Sequence, residues 1–596
     1  MKNIFSFFSF ILALATAASA QTVVNVSGDI TSSTTWTNDK IYTLGSVVYV
    51  NNGVTLTINP GTIIKGGANT ALVIMRGAKI IAQGTMEQPI VFTSNKAAGL
   101  RDRGDWAGLV ICGKARTNDV NGSRQSEGGI DPVKGTYGGT DDADNSGVLT
   151  YVRVEFAGFG FQTNSELNGI TFNAVGSGTQ VDHVQSSYAN DDAFEWFGGT
   201  VKAKYLIAHR TLDDDFDTDY GFSGKLQFGL SVRDSLIADS SGSNGFESDN
   251  DANGSTNTPY TSPTFSNFTI LGPKIRNNTP NQTINANYKR ALHLRRSTKC
   301  SVFNSVFSGY FTGLKVENTT TATNYQNGDL MFANNVFSFT TSLLDSTGSG
   351  TTPLLSMNMA NLFNSRNNRN LPALSDLGLA TPNYTAPSLL PTVNSILLSG
   401  ASFADAKLND AFFTPTTYRG AFGTTDWTSC WAEFNPVNAD YTTAINYFPA
   451  TISITEGTTS IQATPGYSYK WSTGETTQSI VKPTGAGQYS VTATNARGCS
   501  KTTNIILLSN ENTDAPSIRL TPNPASGTLY VSLRNLENKG ISVRIIDMTG
   551  RQLISEDNVN ASNGLMAFDI TSLRTGIYQV VLTQGNNTVT EKLIVQ

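Results

Sequence analysis

Five short segments carry carboxylates and other ionisable groups at matching positions: Asp192-Ala193-Phe194-Glu195-Trp196-Phe197, Asp214-Asp215-Phe216-Asp217-Thr218-Asp219, Asn244-Gly245-Phe246-Glu247-Ser248-Asp249, Arg290-Ala291-Leu292-His293-Leu294-Arg295 and Thr312-Gly313-Leu314-Lys315-Val316-Glu317. Aligned on their apolar anchors, they give one file of Glu195, Asp217, Glu247, His293 and Lys315. A second file holds Phe197, Asp219, Asp249, Arg295 and Glu317, and Asp191, Asp192, Asp213, Asp214, Asn250 and Asp251 lie on flanking turns. On strands about 4.8 Å apart, stacked carboxylates repel unless a cation or an arginine lies between them. A hard cation such as Ca²⁺ takes about six oxygens at about 2.3–2.6 Å, a demand that side chains from neighbouring strands can meet without a linear motif. Asp217, Asp219, Glu247 and Asp249 are the expected central ligands, with calcium as the cofactor. The competing reading is a solvated acidic face that keeps the wall soluble. No EF-hand order or nonapeptide repeat decides between the two.

The elements that would hold such files must repeat, and internal repetition runs from about residue 45 to residue 345 in coils of about 20–30 residues. Period-two alternation places Phe194, Phe216, Phe246, Leu292 and Leu314 inside, one above another. A second strand follows in each coil, at Ala203 to Ile207, Leu230 to Ile237, Phe265 to Leu271, Val302 to Phe307 and Met331 to Phe337. There Asn267, Asn304 and Asn334 take equivalent places, as in an asparagine ladder bonding the backbone of neighbouring coils. Met357 to Phe363 reads as a short helix, and the run from Pro382 to Pro391 as a crossing loop.

This pattern resembles the right-handed parallel β-helix of pectate lyases and many surface proteins. The stretch from Gly53 to Pro436, with Tyr418-Arg419-Gly420-Ala421-Phe422-Gly423, Trp427 and Trp431, is similar to a group of secreted β-helix proteins with no assigned activity. Residues 448–508, with Tyr469-Lys470-Trp471-Ser472-Thr473-Gly474 and Gly487-Gln488-Tyr489-Ser490-Val491, resemble the immunoglobulin-like spacers of surface adhesins. Near the end, Leu520-Thr521-Pro522-Asn523-Pro524-Ala525, Asp547-Met548-Thr549-Gly550-Arg551, Leu573-Arg574-Thr575-Gly576-Ile577-Tyr578 and Lys592-Leu593-Ile594-Val595-Gln596 resemble a type A C-terminal sorting domain of the type IX secretion system. That likeness implies export across an outer membrane and partnership with the secretion machinery. The expected fold is therefore all-β: a right-handed parallel β-helix over 21–447, an immunoglobulin-like β-sandwich over 448–508 and a small C-terminal β-sandwich over 514–596.

Residues 1–20 read as a secretory signal: Lys2, an apolar run from Ile4 to Leu14, then Ala18-Ser19-Ala20. No later stretch reaches the length of a membrane span. The expected address is secreted or outer cell surface. A net charge of −5 and only 15% charged residues leave no basic field for nucleic acid. Cys112, Cys300, Cys430 and Cys499 are too few and too scattered for a disulfide scaffold and form no CxxC pair for a zinc site; a Cys430–Cys499 bridge stays open, with no spacing rule to support it. His183, His209 and His293 sit in no zinc or nucleophile motif and read as wall residues.

Adhesion or binding of extracellular polysaccharide or cell-surface glycan is the leading functional reading, with Phe197, Tyr220 and Tyr310 as aromatics to stack on sugar rings. The alternative is a calcium-dependent polysaccharide lyase, with Arg295 or Lys315 as base, or a glycoside hydrolase using Glu195, Asp217 or Glu247. A structural surface-layer component is the third. Fold does not select among them.

Overall fold

The computed structural model describes residues 21–161, 166–275, 283–346, 356–379, 387, 389–507 and 516–596. The expected signal sequence at 1–20 and most of the expected crossing loop lie outside the described residues. The chain forms two compact units, Met1–Ala450 with Asn495–Ser500, and Thr451–Thr494 with Lys501–Gln596.

In the first unit the aromatic anchors fall into register as the alternation predicts. Phe194 pairs with Phe216, Phe216 with Phe246, Phe246 with Leu292 and Leu292 with Leu314, all in parallel strands. All five are buried, and the rings stack at 5.7 Å between Phe194 and Phe216 and 5.1 Å between Phe216 and Phe246. Each such side chain contributes about 1.5–3 kcal/mol by leaving water. They belong to a ten-stranded sheet whose spatial order follows the chain, from Val47–Val50 through Ala71–Ile74, Gly108–Cys112, Ile170–Asn173, Phe194–Phe197, Phe216–Asp219, Phe246–Ser248, Arg290–Leu294 and Thr312–Val316 to Ser342–Asp345. Sequential order with parallel pairing is what a solenoid requires, since each coil returns the chain one strand further along.

The return strands form a second, seventeen-stranded sheet that turns a corner. Gly147–Glu155 pairs with Lys79–Gln83 before the corner and with Ile90–Ser94 after it. The corner is a column of residues in the left-handed region: Tyr151, His183, Tyr205, Phe228, Asn267, Asn304 and Asn334, with φ between 49° and 63°. Left-handed backbone is costly for most side chains and easiest for asparagine. In the first four coils the cost is offset by stacking, with ring centroids 4.5 Å apart for Tyr151 and His183, 4.3 Å for His183 and Tyr205, and 4.9 Å for Tyr205 and Phe228. One return strand runs Lys225–Val232, earlier than the expected 230–237, because its corner lies at Phe228.

The asparagines do form a column, but their amides turn mainly to the segment that closes the unit. Asn304 donates to the Ser402 carbonyl at 3.0 Å and accepts the Ser402 N–H at 2.9 Å. Asn267 donates to the carbonyls of Tyr418 and Gly420. This strap is built of turns rather than strands, so its peptide groups lack ladder partners and the corner amides supply them. Arg153, fully buried, donates to the Trp431 carbonyl and to the hydroxyls of Tyr447 and Tyr441, while its neighbour Glu155 accepts from Tyr441 and Thr93. Cys430 and Cys499 are joined by a disulfide, and Cys112 and Cys300 are buried free thiols. The expected short helix spans Ser356–Ser365.

The second unit is antiparallel. Ile454–Glu456, Ser460–Ala463 and Ser479–Val481 form one sheet, and Ser468–Trp471 pairs with Gly487–Thr494 with Trp471 buried. Towards the C-terminus a three-stranded sheet and a four-stranded sheet, the latter including Gly576–Gln584 paired along its length with Asn587–Val595, share a core of Leu529, Val531, Ile545, Val580 and Leu593.

Candidate functional site

Outward-facing residues of the ten-stranded sheet stack as the alignment requires: Glu195 against Asp217, Asp217 against Glu247, Glu247 against His293 and His293 against Lys315. Beside them, the turns that enter each strand bring Asp191, Asp192, Asp213 and Asp214 to the same place. Together with Glu127, Arg290, His293 and Arg295 they line a pocket of about 290 Å³.

The pocket has two ends of different chemistry. At the later coils the acids are matched by cations. Arg295 holds both Glu247 and Asp249, Arg296 reaches Asp249 at 2.7 Å, and His293 bridges Glu247 at 3.2 Å and Glu317 at 2.8 Å. Burial would raise the Glu247 carboxyl, but His293 and Arg295 hold it below its ordinary range. Contact with His293 takes Glu317 down to about 2.

At the earlier coils no cation matches the acids among the described residues. One oxygen each from Asp192, Glu195 and Asp217 lies within 4.8 Å of the others, and the same holds for Asp191, Asp192 and Asp213. Burial pushes Asp192, Glu195 and Asp217 well above the usual carboxylate range, and the neighbouring charges Asp191, Glu127 and Glu247 respectively push in the same direction. Asp213 is raised to about 6, first by burial. The turns are stitched to one another: Asp192 accepts the backbone N–H of Asp214 at 2.7 Å, and Asp214 accepts that of Asn244.

The four residues expected to ligate calcium thus lie in different surroundings. Asp217 stands in the unmatched cluster. Asp219 is one position along the outer file, raised by burial and by Asp249. Glu247 and Asp249 are engaged by arginine. Arg295, read as a base, is locked between two carboxylates, and Lys315 lies 3.3 Å from Glu317 and 3.7 Å from Asp345.

Glu127 is the residue that the repeat does not reveal. It lies on the long excursion between Gly108–Cys112 and Gly147–Glu155, and Asn168 donates to it at 3.0 Å and to Glu195 at 2.6 Å. A single Glu in a glycine-rich insertion carries no periodic signal, so only the folded chain brings it to the file. Of the expected stacking aromatics, Phe197 and Tyr310 are buried, at 6% and 0% exposure; Tyr220 is partly exposed and lies under Arg124 at 3.5 Å.

No curated protein matches the chain significantly. Two solved structures share short stretches with it: the BSP domain of a biofilm-associated protein, at 14% identity and TM-score 0.12, and dimeric latent PorU from Porphyromonas gingivalis, at 13% and 0.12. These matches cover 23% and 24% of this chain, and the chain spans 26% and 20% of those two structures. Residues 519–596 match the secretion system C-terminal sorting domain, so the chain is exported to the cell surface or the medium and engages the type IX machinery. No described helix is long and apolar enough to cross a membrane. Residues 28–383, more than half of the chain, match the model of the pectate-lyase-like β-helix domain, and with the parallel coils described above the chain belongs to that family.

Proposed function

We propose that this exported β-helix is a glycan-binding surface protein that holds Ca²⁺ at Asp192, Glu195 and Asp217 and uses it to grip carboxylates of extracellular polysaccharide. The observation that carries the reading is the 4.8 Å clustering of three carboxylate oxygens, none of them ion-paired to a side chain among the described residues. Ligands at about 2.3–2.6 Å from one ion lie no more than about 5.2 Å apart, so the spacing suits a shared ion. A divalent cation there removes the mutual repulsion and leaves coordination positions for a sugar acid. Asp191 and Asp213 lie close enough to join through a second face of Asp192.

Glycoside hydrolysis is favoured by one observation, the adjacency of Glu127 and Glu195, which both accept from the Asn168 amide. Retaining enzymes separate their two carboxyl groups by about 5–5.5 Å and inverting ones by about 6.5–9.5 Å. The Asn168 amide that both carboxylates accept from engages the two groups that such a reaction needs free. Elimination is disfavoured because Arg295 and Lys315 are already engaged.

The test is calorimetric titration of the full exported chain with polygalacturonate and alginate, in excess Ca²⁺ and in chelator. Binding that appears only with Ca²⁺, with no new reducing ends or unsaturated product, supports the reading. Equal binding in chelator, or turnover, overturns it.

A further inference from the structure

One coil beyond Arg290, which lines the acidic pocket, two phenyl rings face solvent around a lysine. Phe311 and Phe339 are 36% and 37% exposed, and the Lys274 ammonium lies 5.8 Å from the first ring centroid and 4.4 Å from the second. Lys274 is fixed there by the Phe339 carbonyl at 2.9 Å and the Thr341 hydroxyl at 3.2 Å, and no carboxylate pairs with it among the described residues. Phe339 holds this position with φ 52°, a left-handed conformation that disfavours an aromatic residue. Phe156, Tyr188 and Arg210 take the same conformation after the return strands of earlier coils, so the corner is a feature of the solenoid, and at Phe339 it presents a phenyl ring to solvent.

Register ties this patch to the pocket. Phe216, Phe246, Leu292 and Leu314 stack in successive coils. Three residues earlier on the turns stand Asp213 and, three coils on, Phe311, which puts them on one file roughly 14 Å apart at about 4.8 Å per strand. Arg290, which lines the pocket, pairs in register with Thr312 beside Phe311. The flank therefore runs from the carboxylates of the pocket past Arg290 to an ammonium flanked by two rings.

Resting on the glycan-binding reading above, we infer that Phe311, Phe339 and Lys274 form a distal subsite for an anionic polysaccharide, so that one chain of several uronic acid units spans from the acidic pocket to these rings. The C–H face of a pyranose lies on the negative face of a phenyl ring, and Lys274, which pairs with no carboxylate among the described residues, matches the carboxylate that each uronic unit carries.

Titration of the calcium-loaded full chain with digalacturonate and hexagalacturonate tests this. The hexamer is expected to bind roughly tenfold more tightly than the dimer, and Phe311→Ala with Phe339→Ala is expected to erase that advantage while leaving dimer affinity unchanged. Lys274→Gln, a milder change, is expected to lower hexamer affinity alone, and serves if the double variant does not fold. A native preference for the hexamer that survives Lys274→Gln and the double variant overturns the subsite and leaves the glycan-binding reading standing, as does equal affinity of the native chain for both lengths. Failure of the native chain to bind either oligomer overturns both.

Discussion

Asp192 and Asp214, on successive coils, are joined by a hydrogen bond from the backbone N–H of Asp214 to one carboxylate oxygen of Asp192 at 2.7 Å. This contact fixes the Asp192 side chain where its carboxylate meets those of Glu195 and Asp217. The pocket is thus held rigid by the turns that create it, and a rigid cluster of like charges gains most from a counterion.

Calcium is expected to raise the melting temperature of the full chain, by an amount that grows with its concentration. At a hundred times its dissociation constant it stabilises by about 2.7 kcal/mol. Scanning calorimetry with calcium and with chelator reads the effect, and Asp192→Asn with Asp217→Asn should remove it. An unchanged melt would dispose of the ion.

The pH dependence follows from Asp213. Its carboxyl titrates near 3.8 unfolded and at about 6 folded, because burial raises it. The stability contributed by the protonated form is complete below about 3.8 and is lost as pH rises through about 6. In chelator, the difference in melting temperature between the native chain and Asp213→Asn should therefore change across this window. With calcium in excess the native chain should instead gain stability on the alkaline side, since the ion binds the ionised form.

Asn304→Ala is expected to destabilise the first unit by about 1–3 kcal/mol, because the N–H and carbonyl of Ser402 both lose a partner. Urea unfolding measures it. Proteolysis should cut the strap of the variant before the coils.

Removal of the disulfide by Cys430→Ser with Cys499→Ser should cost about 2–4 kcal/mol, given a separation of 69 residues. Melting with and without reductant should differ for the native chain and coincide for the variant. A native chain indifferent to reductant would contradict this.

What periodicity encodes was legible. Phe194, Phe216 and Phe246 stack because every second residue of a strand faces the core, and Glu195, Asp217 and Glu247 must then stack outside. Asparagine at the corner was legible for the same reason, since it tolerates left-handed backbone, whereas its bond to Ser402 was not: the strap has no period. Glu127 and the disulfide depend on where aperiodic segments land. The burial of Phe197 was hidden likewise, because an outward position on a strand is exposed only where no excursion covers it, and Tyr310, between two strands, turns into the core.

The excursion that delivers Glu127 has a wider consequence. Gly108–Cys112 pairs directly with Ile170–Asn173, and Gly147–Glu155 with Lys79–Gln83, so the residues between Cys112 and Gly147 leave and rejoin ladders that are complete without them. Descendants of this chain can lengthen, trade or delete that insertion, altering the mouth of the pocket while the scaffold beneath keeps its stability. Recognition and architecture are free to evolve on separate schedules.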